Sequence, residues 1–197
     1  MATLAMPVQH DSAEDGPERI KVRSLALGLV GVVAVLTSAW GGIVPYVGPI
    51  FGYSGDGSSS WYWSAPHAVL ALIPGALGVF LGLVVIGEAR GVAFGRGRVT
   101  LATAGTLLMI VGAWFAIGPF AWPVLVSTGP YFVTGSHLMV LAYEVGYSIG
   151  TGIVLVVCGA FVDGWAARHQ PKLTAVVETK AEPAEEAPSV AAMKPPS

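Results

Sequence analysis

GAWFAIGPFAWP, at residues 112–123, is an apolar run carrying two prolines, and it echoes AWGGIVPYVGP at residues 39–49. Setting Ala39 on Ala113 brings Trp40 onto Trp114, Pro45 onto Pro119, Tyr46 onto Phe120 and Pro49 onto Pro123. Tryptophan and paired prolines are uncommon enough for such spacing to mark a repeat. Downstream, each copy passes through an uncharged segment containing Gly, Ser and Thr to a histidine, His67 or His137, which opens a second apolar run. Gly82 and Gly152 then lie at equal distances from those histidines. The chain therefore reads as two copies of one two-helix unit.

Composition says where such units live. Of 197 residues 54% are hydrophobic and 11% charged, against roughly 25% charged in a soluble domain, and the mean hydropathy is +0.68. This is the balance of a membrane protein, whose first partner is the lipid bilayer. A net charge of -2 and scattered basic residues give no footprint for nucleic acid. Cys158 is the single cysteine, so neither an intrachain disulfide nor a cysteine metal cluster is possible.

Along the chain, residues 1–18 are polar and acidic, lack the basic start and cleavage site of a secretory signal, and read as a disordered cytoplasmic tail. Residues 19–98 form a first transmembrane hairpin with crossings at 24–44 and 67–87, joined by an aromatic-rich interfacial loop. Residues 99–168 form a second, with crossings at 99–121 and 138–162. Each crossing has about the twenty residues that a bilayer demands. Pro45, Pro49, Pro119 and Pro123 are expected to end the first and third helices, and Pro74 to kink the second. Residues 169–197 have too little apolar surface to fold and read as a second disordered tail. The expected fold is all-α: a polytopic four-helix bundle made of two tandem hairpin repeats. All ten Lys and Arg lie in the termini or the turn between the second and third crossings, which places both termini in the cytoplasm.

Chemistry can reside in few places. Glu144 is the one acidic residue well inside an expected crossing, where a charge costs about 2.5–3.5 kcal/mol at the helix centre. It reads either as a proton or cation site or as a neutral carboxyl bonded to a neighbouring helix. His67 and His137 take matched positions at the outer helix ends, where a twofold relation would face two imidazoles as a b-type haem or a metal requires. With no second histidine in either helix and no CxxCH, the expectation is instead that both are solvated, with Trp61 and Trp63 filling the space between, and that no metal or cofactor is bound. Trp40, Trp61, Trp63, Trp114 and Trp122 suit an aromatic belt more than a quinone or headgroup site. Gly78/Gly82 and Gly146/Gly150 have the GxxxG form that permits close helix approach. Walker, GxSxG and HExxH sequences are absent, as is a GxGxxG in a strand-to-helix setting.

At the two Trp/Pro segments the chain resembles the SPW-repeat group of prokaryotic membrane proteins, whose two-helix units run from a G-x-W stretch into a Ser-Pro-Trp-like exit and a second, Gly-containing helix. The matching residues are Gly112, Trp114, Gly118, Pro119 and Phe120 and, less closely, Trp40, Val44, Pro45 and Tyr46; neither copy has a literal Ser-Pro-Trp. The resemblance covers the four helices and implies the hairpin architecture, with no activity or site. The residues thus favour a non-enzymatic membrane protein that packs against itself or a larger membrane complex. The alternatives are a small transporter or ion conductor built on Glu144, or a haem- or quinone-associated redox subunit using His67 and His137.

Overall fold

The computed structural model describes residues 17–54, 57–91, 97–127 and 136–168. Four helices are long and apolar enough to cross a membrane, and the protein is an all-helical membrane protein. Helix α1 is Pro17–Val47, continued by a 3-10 turn at Gly48–Phe51. Helices α2, α3 and α4 are Ala65–Ala89, Arg98–Val126 and His137–Arg168. Within α2 the residues Ala68–Leu72, and within α4 the residues Glu144–Ile149, wind as π turns. Of the tail expected at 1–18, residues 1–16 lie outside the described residues, as do 169–197 and the loop residues 128–135, while Pro17 and Glu18 already belong to α1.

The helices start where serine caps them. Ser64 Oγ accepts from the His67 N–H at 3.3 Å, and Ser136 Oγ from the Met139 N–H at 3.3 Å, each filling one of the donors a helix start leaves open. Pro66 sits in the first turn of α2, where its missing N–H costs nothing. The helix ends correct the expectation drawn from proline. Pro45 lies inside α1, and Pro119 and Pro123 inside α3, which runs on to Val126 and takes in the expected loop start at Trp122. In a bilayer nothing but the helix itself offers the backbone its partners, so helical winding persists through a proline that would end a helix in water. What stops α3 is Ser127, in a left-handed conformation (φ 52) with its N–H on the Pro123 carbonyl.

The helices pack as a ring: α1 chiefly on α2 and α3 on α4, with α2 on α3 and α1 on α4 closing it. Glycine sets the intimate contacts. A Cβ at Gly75 would stand 2.5 Å from the Gly42 Cα, and one at Gly82 would stand 3.0 Å from the Gly31 carbonyl oxygen. In the second hairpin a Cβ at Gly152 would lie 2.5 Å from the Gly112 oxygen, and one at Gly159 would lie 2.5 Å from the Gly105 oxygen. The Gly78/Gly82 pair is thus filled by α1 of the same chain, Gly78 lying under the Ser38 side chain.

These contacts also fix a register. Gly82 meets Gly31, nine residues before Trp40, whereas Gly152 meets Gly112, two residues before Trp114. Gly105, which the Trp/Pro echo matches to Gly31, meets Gly159, so the counterpart of Gly82 is Gly159 and not Gly152, and the alignment drawn through the histidines is seven residues, about two turns or roughly 10 Å, out of step. The interior is packed with Leu70, Leu108, Phe115, Tyr143, Tyr147 and Leu155, all essentially inaccessible, while Leu25, Leu36, Phe80, Ile110 and Val157 face outward. Exposed apolar side chains on all four helices are what a lipid-facing surface requires.

Candidate functional site

The candidate site forms where the helical hydrogen-bond ladders break. In α2 the Ile73 N–H goes to the Ala68 carbonyl, five residues back. The carbonyl of Val69 would next look to Pro74, which has no N–H. Trp114 of α3 supplies the missing donor, with its Nε1–H on the Val69 oxygen at 3.0 Å. In α4 the Gly150 N–H goes to Val145 rather than to Gly146. Trp40 of α1 donates its Nε1–H to the Gly146 oxygen at 3.0 Å. The two tryptophans of the sequence echo thus perform the same task, each capping a π turn in the other hairpin. An unsatisfied carbonyl costs several kcal/mol in hydrocarbon, so these bonds tie the hairpins together.

Glu144 is the first residue of the α4 π turn and is half-buried. No hydrogen-bond partner for its carboxyl is found among the described residues, and Tyr143 and Tyr147 turn their rings inward instead. Tyr143 stacks obliquely on Tyr147 at 4.9 Å and on Tyr53 at 5.0 Å, and Phe115 meets Tyr147 edge-on at 6.3 Å. Tyr53 ties the first loop to α4 by donating its hydroxyl to the Ala142 carbonyl at 2.9 Å. Burial raises the Tyr53 phenol above its ordinary value. Nineteen residues separate Glu144 from Asp163 on α4, about 28 Å along a helix. That is close to the thickness of a hydrocarbon layer, about 30 Å.

The histidines are not equivalent. His67 is fully buried, its Nδ1 2.9 Å from the Tyr62 carbonyl and its ring edge-on to Tyr46 at 5.5 Å and to Tyr62 at 6.2 Å. His137 is exposed at the start of α4. The expectation that both are solvated fails for His67, because Tyr46 of α1 and Tyr62 of the following loop close over it. That loop turns at Trp61, which holds a left-handed φ of 60 with its N–H on the Tyr46 carbonyl at 2.9 Å. Trp61 and Trp63, expected in the space between the histidines, are 70% and 66% exposed, and the rings that meet His67 are those of Tyr46 and Tyr62. Among the described residues no group of three or more His, Cys, Asp or Glu is placed to hold a metal.

Two grooves flank the capped turns. One, of about 370 Å³, runs between α1 and α4 along Leu36, Trp40, Gly146 and Gly150; the other, of about 290 Å³, runs between α2 and α3 along Ile73, Pro74, Ile110 and Trp114. The Gly146/Gly150 pair edges the first groove, yet both glycines already serve the fold. A Cβ at Gly146 would meet the Tyr53 hydroxyl, and one at Gly150 the Val145 carbonyl.

Sequence reasoning passed over Asp163 except as a helix end. Its Oδ2 accepts from Thr106 Oγ1 at 3.1 Å, linking α4 to α3, while Oδ1 is buried with no hydrogen-bond partner among the described residues. Ser38 and Ser148 are likewise fully buried, and neither hydroxyl has a partner among the described residues. The chain matches no protein-family model, no curated protein and no solved structure.

Proposed function

We propose that this is a non-enzymatic integral protein of a bacterial cell membrane, with both termini cytoplasmic, that acts by packing against another membrane-embedded chain. That chain is a second copy or a subunit of a larger complex, and it meets the loop-side end of α4. The observation that carries the reading is Glu144: half-buried near the loop-side end of α4, flanked by the exposed Leu141 and Val145, with no partner for its carboxyl among the described residues. Lipid tails offer a carboxyl nothing, and polar groups in such places pair across helices. The glycine faces no longer argue for association, since Gly78, Gly82, Gly146 and Gly150 are engaged within the chain. Native mass measurement in a mild detergent tests the proposal: an assembly is expected, and a strictly monomeric protein without copurifying partner contradicts it.

A second reading, a small transporter or ion conductor using Glu144, is favoured by the buried hydroxyls of Ser38 and Ser148, which would line a polar path. It requires flux in liposomes that falls in Glu144→Gln. We further propose that the hairpins are copies of one unit of the SPW-repeat kind, forming a bundle about an axis along the membrane normal. The reciprocal indole bonds of Trp40 and Trp114 support this.

A further inference from the structure

The two π turns are held by different means. In α2 the wide turn is fixed covalently: Pro74 has no N–H to give, and its ring excludes an α-helical carbonyl one turn back at Leu70. Removing Trp114 would orphan the Val69 carbonyl without allowing the ladder to close. In α4 no proline intervenes. The Gly150 N–H has two acceptors to choose between, Val145 in the wide form and Gly146 in the α-helical one, and it is on Val145.

Three features hold that choice. Trp40 occupies the Gly146 carbonyl, and Tyr53 occupies the Ala142 carbonyl just ahead of the turn; both come from the first hairpin. Gly150 supplies the third, since any Cβ there would strike the Val145 carbonyl. Regular α-helix accepts a Cβ at every position, so this conflict exists only while the turn is wide.

We propose that the α4 π turn is a one-residue register switch, held wide by the two caps from the first hairpin. When the caps withdraw, the Gly150 N–H moves from Val145 to Gly146 and the extra residue of the turn is taken up by the α-helix. Residues 137–145 then rotate by about 100° and shift by about 1.5 Å relative to residues 151–168. Glu144 moves with them, so the contact between the hairpins at the loop side is converted into the direction in which the carboxyl at the loop-side end of α4 points. Pro74 makes α2 the fixed counterpart.

A nitroxide scan tests this. Single labels at residues 138–145, in a Cys158→Ser background in lipid vesicles, report oxygen accessibility position by position. In the otherwise unaltered chain the maxima fall at Leu138, Leu141 and Val145, which are 76%, 55% and 52% exposed. In Trp40→Phe combined with Tyr53→Phe, and in Gly150→Ala, the maxima move by one residue; in Trp114→Phe they stay. If Gly150→Ala does not fold, the double variant decides. A double-variant pattern that coincides with the unaltered one overturns the proposal, as does an equal movement in Trp114→Phe.

Discussion

Trp114 and Val69 are joined across the hairpins by an indole-to-carbonyl hydrogen bond of 3.0 Å, and neither helical donor is available to that carbonyl. Ile73 gives its N–H to Ala68, and Pro74 has none. Trp114→Phe keeps an aromatic ring and removes the donor, so it leaves a carbonyl unpaired in an apolar surrounding at a cost of about 1–3 kcal/mol. Trp40→Phe is expected to cost less, because the Gly150 N–H can turn to Gly146. Unfolding by denaturing detergent measures both; an equal or reversed order contradicts the account.

The glycine contacts predict a sharp contrast. In Gly75→Ala the new methyl would stand 2.5 Å from the Gly42 Cα and 2.9 Å from the Ser38 carbonyl oxygen. Backbone cannot yield as a side chain does, and a loss of about 1–3 kcal/mol is expected. Gly164→Ala, with nothing within 4 Å, should be neutral or stabilising by up to about 1 kcal/mol through helix propensity. Thermal unfolding of the two variants in one detergent makes the comparison.

Tyr53 gives the fold an alkaline limit. Burial raises its phenol above 10.0 in the folded chain, so the folded state holds that proton more tightly than the unfolded one. The resulting stability is complete below the unfolded value and is lost as pH rises through the folded one. Unfolding temperatures followed from pH 9 to 12 should fall above about 10, with a shallower fall in Tyr53→Phe. An unchanged slope in that variant would show that the phenol contributes nothing.

Four crossings were legible because long uncharged apolar runs have few other uses, and the starts expected at 67 and 138 lie within two residues of those found at Ala65 and His137. The prolines misled: Pro45, Pro119 and Pro123 break helices in water, but a bilayer offers their neighbours no alternative partner. Of the π turns only Pro74 left a sequence trace, since nothing in EVGYSI distinguishes wide winding from α-helix. The burial of His67 depends on Trp61 adopting a left-handed turn, which no side-chain preference announces. The equivalence of His67 and His137 was lost for a reason invisible in one dimension: the Gly31–Gly82 crossing corresponds to Gly105–Gly159, seven residues out of step with the alignment drawn through the histidines.

Orientation is checked by reporter fusions. Fusions at Ser58 and Ser127 should report the outside of the membrane and one at Gly95 the cytoplasm. A cytoplasmic signal at Ser58 contradicts the proposed topology.

The central claim, association through the loop-side end of α4, is tested most directly by a photo-crosslinking side chain at Val145 in native membranes, with Val157 on the same helix as control; the two are 52% and 61% exposed. The account predicts a discrete covalent adduct to a second copy or another membrane protein from position 145 and none from 157, weakened by Glu144→Leu. Lipid adducts alone from position 145, or equal protein adducts from both positions, would contradict it.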